Sequence, residues 1–322
     1  MYAVLVDEKQ SLAWREVPEP VLKAGELLVD IHATALNRAD LLQRAGNYPP
    51  PPGWPEWMGL EVAGVVVESP ADGRWKAGDK VCALLGGGGY AERVAVPADM
   101  AVPVPDGLSM VEAAAIPEAF ATSYLNICIE GDMKAGDMVL IQAGASGLGI
   151  AAIQLVKALG GKVMTTVSTE EKAEFVRSLG ADVVVNRTVD DLGAVMEEHP
   201  VDIALDCISG PGLGQCIGKM AIGGRWIVIA TLGGAMTEID MNVFFRRGIK
   251  LIGSTLRSRS SEMKAEILAE LERTLWQSFS SGAIKPVIHE TLPITEAEEA
   301  HAILQRRENI GKVVLTVSRN GQ

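Results

Sequence analysis

The sequence predicts an α/β fold, a doubly wound parallel sheet joined to a second, mostly β domain. Three observations carry this. From Val139 onward, short apolar strand patterns alternate with helical ones. A glycine turn, Gly144–Gly149, stands between the first such strand and helix. Before about Pro117 the chain shows short strands broken by turn signals.

In the first part, ELLVDIHATAL (26–36) alternates and is β-branched enough for strand, as are GVVVE (64–68) and RVAV (93–96). Turns fall at Gly78-Asp79 and at GGGGY (86–90). Pro49–Trp57, PPPPGWPEW, holds too much proline for a helix or a central strand and reads as an irregular loop. Beyond Val139 come the strand VLIQA (139–143) and the helical pattern IAAIQLVKAL (150–159). Further strands are expected at KVMTTV (162–167), DVVVN (182–186), VDIALDCI (201–208), GRWIVIAT (224–231) and IKLIGST (249–255), with helical EEKAEFVRSL and GLGQCIGKM between them. Repeated βα units of this length imply a parallel sheet covered on both faces. A helix is expected over 262–278, then a capped one opening at Thr295, where Glu298 stands three residues on as in a capping box. The strand KVVLTV (312–317) closes the pattern. This tail is expected to return to the first domain, giving one domain from 1–117 with 256–322 and another from 118–255.

With 322 residues, 48% hydrophobic and 22% charged, the chain has the composition of a folded two-domain protein. Acidic residues outnumber basic ones 41 to 29, for a formal charge of −12, which argues against nucleic acid as a partner. No apolar run suits a membrane helix and no secretory signal is visible, so a cytoplasmic address is expected. Cys82, Cys128, Cys207 and Cys216 contain no CxxC pair and read as reduced thiols.

GASGLG (144–149) sits where a dinucleotide's pyrophosphate would meet a helix N-terminus: small residues admit the phosphates and free amides face them. Ser146 replaces the middle glycine of the ideal fingerprint. About twenty residues on, where a carboxylate would hold the ribose of NAD, the chain reads TTVSTEEK. Thr165, Thr166, Ser168 and Thr169, with Lys172 beyond, favour a ribose phosphate and hence NADP.

LNRADLLQRAGNYPPPPG (36–53), MGLEVAGVV, AAAIPEAFATSY, VLIQAGASGLGIAAIQL, LRSR and NIGKVVL occur in an order that resembles the quinone oxidoreductases of the zeta-crystallin group. The tumour-suppressor-inducible type is the nearest subgroup. The resemblance implies a GroES-like β domain split around a Rossmann domain, an active site in the cleft between them, NADPH as donor, and a homodimer formed by extending the Rossmann sheets. Zinc-dependent cousins carry a cysteine near the position of Asn37 and a histidine where Leu60 stands before Glu61. Here Glu61 and Glu118 remain without Cys or His, a poor zinc site. Without a metal to ionise an alcohol, the easier chemistry is hydride delivery to an electrophilic acceptor.

By the same resemblance, Asn37, Asp40 and Tyr48 lie beside the nicotinamide or substrate, and Asp40 has a second reading as a local anchor of its helix. Thr122 follows the nicotinamide-contacting threonine, and Ser146, Gly147 and Leu148 match the pyrophosphate loop. Ser168, Thr169, Lys172 and Arg187 surround the adenosine phosphate, Arg187 standing where relatives often have tyrosine. Cys207, with Leu232, Gly233 and Gly234, ends successive strands at the cofactor edge, and Leu256 and Asn309 touch the nicotinamide end. Trp54 and Trp57 form either an apolar lip for an aromatic substrate or a dimer contact. His32, His199, His289 and His301 form no catalytic pattern, and His301 reads as a surface residue of a polar helix. The expected activity is NADPH-dependent, metal-independent hydride transfer to quinones. The alternatives are reduction of activated double bonds (alkenals, enones) and a non-catalytic NADPH-binding role.

Overall fold

A computed structural model describes residues 1–318. The chain forms two compact units: Met1–Ala121 with the segment from Arg257 onward, and Thr122–Leu256.

The Thr122–Leu256 unit is a six-stranded sheet. Its strands run in the order Val183–Asn186, Lys162–Val167, Met138–Ile141, Ile203–Asp206, Arg225–Val228, Lys250–Gly253, all parallel. The order reverses between Met138–Ile141 and Ile203–Asp206, which is the crevice where such folds bind ligands. Alternate residues of each strand face opposite sides, and two cores result. Val139, Ile141, Val163, Ile203, Leu205 and Ile227 enter one, with Ala152, Ile153 and Val156 from the helix Gly147–Ala158. Leu140, Met164, Ala204 and Trp226 enter the other, with Leu213, Cys216 and Ile217 from the helix Gly210–Ile217. This two-sided burial is why these strands read as continuous apolar runs. The α/β class expected from the repeats is the class observed.

The other unit is built on a seven-stranded sheet in which Glu26–Ala35 is central. It pairs antiparallel with Glu61–Glu68, Arg93–Pro97 and Lys312–Thr316. Lys312–Thr316 pairs in turn with Ile288–Pro293, in parallel. Val4, Leu36, Met58, Tyr90, Ile294, Ala300, Val313 and Leu315 are among the side chains of a core here.

Two local expectations are corrected. The last helix runs over Ala297–Arg306 after a 3-10 turn at Ile294–Glu296, with Glu296 and not Thr295 at its N-cap. Glu298 serves no capping box: it accepts the backbone N–H of Leu12 and the Arg44 guanidinium, partners that local spacing cannot reveal. His301 is not a surface residue but is 0% exposed. Its ring meets Tyr90 edge-on at 5.9 Å, with Nε2 3.3 Å from the phenol oxygen. It belongs to the buried stripe Ala297, Ala300, His301, Leu304 of an otherwise charged helix, a spacing that the polar composition hides. Among the described residues, no helix is long and apolar enough to cross a membrane.

Candidate active site

In the Thr122–Leu256 unit the expected cofactor residues gather at the carboxyl ends of the strands. The turn after Met138–Ile141 can approach its own sheet because Gly144 and Gly149 carry no side chain. A Cβ on Gly144 would lie 2.0 Å from Thr165 Oγ1, and one on Gly149 would lie 2.4 Å from the Ala143 carbonyl oxygen. Ser146 caps the helix Gly147–Ala158, its Oγ accepting the Gly149 N–H at 3.0 Å. The amides of Gly147 and Leu148 stand at the head of that helix, where no intrahelical carbonyl reaches them. Ser146 thus does a cap's work, which explains why serine can replace the middle glycine.

Ser168 and Thr169 follow the strand Lys162–Val167, and Thr169 Oγ1 accepts the Lys172 N–H to cap the helix Glu170–Ser178. The Arg187 N–H bonds the Val167 carbonyl at 3.0 Å, bringing Arg187 from the next strand's end to the same corner. Partial burial and the charge of Arg187 hold the Lys172 ammonium below its usual pKa. Two neighbouring cations with hydroxyls beside them are the kind of donor set that can bind a phosphate. Cys207 and Leu232 meet through the Leu232 N–H and Cys207 carbonyl (3.2 Å), and Gly233 N–H bonds the Ile208 carbonyl at 2.7 Å. Gly234 bridges Ser209. Buried Asp206 organises this edge, accepting N–H groups from Ile208, Ser209 and the Trp226 indole. Thr122 is half-buried at this unit's start and Leu256 is buried at its end.

In the other unit, Asn37 precedes the short helix Arg38–Arg44. Its side chain donates to Glu61 Oε1 at 3.0 Å and accepts from Lys312 Nζ at 2.7 Å; Lys312 Nζ also lies 2.6 Å from Glu61 Oε1. The second Glu61 oxygen accepts the Glu118 N–H at 2.8 Å. Asp40 is 0% exposed and accepts from the Asn37 N–H, the Gly59 N–H and the Tyr90 hydroxyl. It anchors the turn that bears Asn37, which is the second of the two sequence readings. Half-buried Tyr48 lies under the Arg257 guanidinium, 4.7 Å from its ring centre. Asn309 donates to the Gly311 carbonyl in the turn before the strand Lys312–Thr316.

Burial sets the protonation of this cluster. It pushes Asp40 up to about 6 against the pull of its three donors and of Lys312. Burial, with the Glu61 charge adding to it, pushes Glu118 up to about 8, while Lys312 and Lys264 oppose. Tyr48 is raised by burial and by Glu118, with Arg257 opposing.

Trp54 and Trp57 pack on the four-glycine turn. A Cβ on Gly86 would lie 2.6 Å from the Trp54 ring, and the Trp57 indole N–H donates to the Gly88 carbonyl. Both also line a groove of about 640 Å³ with Pro18, Val21, Pro55 and Pro97, a groove whose lining does not include Asn37, Asp40 or Tyr48.

Sequence reasoning missed Lys312 and Arg257. The first opens an apolar strand and the second lies in LRSR, and a buried cation in an apolar run was the available signal.

The sequence profile of the zinc-binding dehydrogenase family matches residues 147–273, and that of the alcohol dehydrogenase GroES-like domain matches residues 23–106. Quinone oxidoreductase of Sus scrofa is 30% identical over 308 residues, covering 93% of this chain and 92% of its own. The chain belongs to the medium-chain dehydrogenase/reductase family. Among solved structures it is similar to the quinone oxidoreductase of Thermus thermophilus, also solved in its complex with NADPH. The TM-score is 0.82 at 31% identity, with 98% of this chain and 100% of that one covered. CurF ER cyclopropanase from the curacin A biosynthetic pathway matches with a TM-score of 0.83 at 27% identity, covering 98% and 99%. This medium-chain dehydrogenase/reductase places an ammonium, Lys312, against both Asn37 and Glu61. Among the described residues, no group of three or more His, Cys, Asp or Glu is arranged to hold a metal ion.

Proposed function

We propose that this medium-chain dehydrogenase/reductase, an oxidoreductase, uses NADPH to reduce quinone-type acceptors by a route that needs no catalytic metal. The observation that carries the reading is the Lys312 ammonium seated on Glu61 and Asn37. A divalent cation would have to displace it from a buried carboxylate. The zinc-dependent members of this family use the metal to ionise an alcohol, whereas a quinone is electrophilic already and needs positioning and stabilisation of the charge it gains.

NADPH, when bound, supplies the hydride. Gly144–Gly149 fit its pyrophosphate, since the close-packed turn leaves helix amides free. Ser168, Thr169, Lys172 and Arg187 fit the ribose phosphate. Cys207, Leu232, Gly233 and Gly234 line its course, and Thr122, Leu256 and Asn309 serve the nicotinamide end. Tyr48 orients the acceptor and donates to its oxygen, Asn37 presents its side chain to the same end, and Asp40 holds Asn37 in place.

The acceptor is a small molecule and the partner is a second copy of this chain. The edge strand Lys250–Gly253 leaves Leu251 43% exposed, with Phe245 nearby in sequence at 64%, an open apolar edge suited to sheet extension.

The test is NADPH and NADH oxidation by the purified protein with ortho- and para-quinones, and with alkenals in parallel. Quinone-dependent turnover that prefers NADPH and survives chelator is expected. Turnover on alkenals alone would move the acceptor class, and tight NADPH binding without turnover would remove the catalytic reading.

A further inference from the structure

Arg257 is 6% exposed, although it stands at the very start of the segment that returns to the first unit. Its guanidinium bridges the four-glycine turn and the chain around Gln43 and Tyr48, all remote from Arg257 in sequence. Nε and Nη2 both donate to the Gly86 carbonyl, at 3.0 and 2.9 Å. Nη2 also reaches Gln43 Oε1 at 2.6 Å, on the helix Arg38–Arg44. Nη1 donates to the Tyr48 carbonyl at 2.9 Å, while the guanidinium covers the Tyr48 ring at 4.7 Å. Arg257 is itself held, because buried Lys264 donates to its carbonyl at 2.9 Å.

We infer that Arg257 is the positioning residue for Tyr48, fixing both its backbone and its ring and thereby setting how well the site accepts a flat substrate. The inference rests on the reading that Tyr48 meets the acceptor. The proline-rich chain that follows cannot do this, since Pro49–Pro52 offer no N–H to a ladder and Tyr48 stands outside any helix or strand. The planar fork of arginine matches two carbonyls and an amide at once and stacks on a ring. A lysine at the same place offers one point charge.

The Gly86 carbonyl adds a second link. Trp54 packs on Gly86, so the Arg257 fork links Tyr48, just before the proline-rich loop, to the peptide on which Trp54 of that loop rests. Loosening Arg257 frees the ring that faces the acceptor without touching Lys172, Arg187 or the glycine turn. Substrate recognition should therefore suffer while NADPH recognition does not.

The experiment is a double-mutant cycle of Arg257→Lys and Tyr48→Ala, read as KM for quinone and for NADPH separately, with fluorine NMR of protein labelled with 3-fluorotyrosine. The chain has four tyrosines, so the Tyr48 signal is assigned by its loss in Tyr48→Phe. Arg257→Lys is expected to raise the quinone KM about tenfold and leave the NADPH KM within about twofold. It should shift or broaden the Tyr48 resonance alone. In the Tyr48→Ala background the same change should add less than about twofold. Multiplying effects, or an unchanged Tyr48 resonance, would overturn the inference. Should Arg257→Lys fail to fold, Gln43→Met removes one Arg257 acceptor and must shift the Tyr48 signal, or the inference falls. A wild-type protein inert toward every quinone defeats the proposed function, and the NMR arm then still decides the role of Arg257.

Discussion

Lys312 Nζ lies 2.6 Å from Glu61 Oε1, and the two side chains are 6% and 0% exposed although 251 residues separate them. A buried pair is worth little against an apolar replacement, but half of one is costly. Lys312→Met is therefore expected to lower unfolding free energy by about 3–5 kcal/mol, and Lys312→Met with Glu61→Gln to recover part of that loss. Denaturant titration of both variants checks it. Equal destabilisation by the single and double changes would mean that Glu61 is not left uncompensated.

Phosphate recognition should be separable from catalysis. Lys172→Ala is expected to raise the KM for NADPH by roughly tenfold to a hundredfold, the worth of one charge-assisted contact, and to change that for NADH little. Steady-state kinetics with both cofactors decides it, and equal losses would end the phosphate assignment.

Stability should fall as pH rises toward 8. Glu118 ionises near 4.5 when unfolded and at about 8 when folded, so between those values the folded chain binds more protons and loses stability with each step up. Asp40, raised from 3.8 to about 6, acts in the same direction lower down. His301, lowered from 6.5 to about 4, acts oppositely, because its unfolded ring takes the proton. From pH 6.5 to 8 Glu118 dominates among these three, and Glu118→Gln should flatten the decline in a denaturation series across that window.

Assembly should depend on the open sheet edge. Leu251→Glu is expected to convert a dimer to monomers in sedimentation velocity, since a carboxylate there would be buried against its own copy in an extended sheet. NADPH affinity per chain should survive, and an unchanged sedimentation coefficient would place the interface elsewhere.

Much of the fold is legible in the sequence because its signals are local. The parallel strands announce themselves as apolar runs, and the turn at Gly144–Gly149 is marked by residues whose smallness the packing demands. Ser168, Arg187 and Cys207 each directly follow one such strand, so their positions are legible from the same local signal. What escapes is long-range. Nothing near Arg257 in sequence points to Gly86 or Gln43, and nothing near Lys312 points to Asn37. His301 misleads for the same reason: its helix is charged overall, and the partner that buries it, Tyr90, lies 211 residues away. The short helix Arg38–Arg44 carries too few turns for periodicity to show.

The strand Lys312–Thr316 occupies an interior place in its sheet, between Glu26–Ala35 and Ile288–Pro293. During synthesis the first strands of that sheet emerge long before this neighbour exists. Translation at about 5–20 residues per second leaves them waiting for tens of seconds while the intervening chain is made. Through that interval the edge of Glu26–Ala35 is unzipped and the Glu61 carboxylate has no ammonium to meet. An open strand edge is a template for pairing with other chains, so the last strand to be made is also the one that closes this sheet against such pairing.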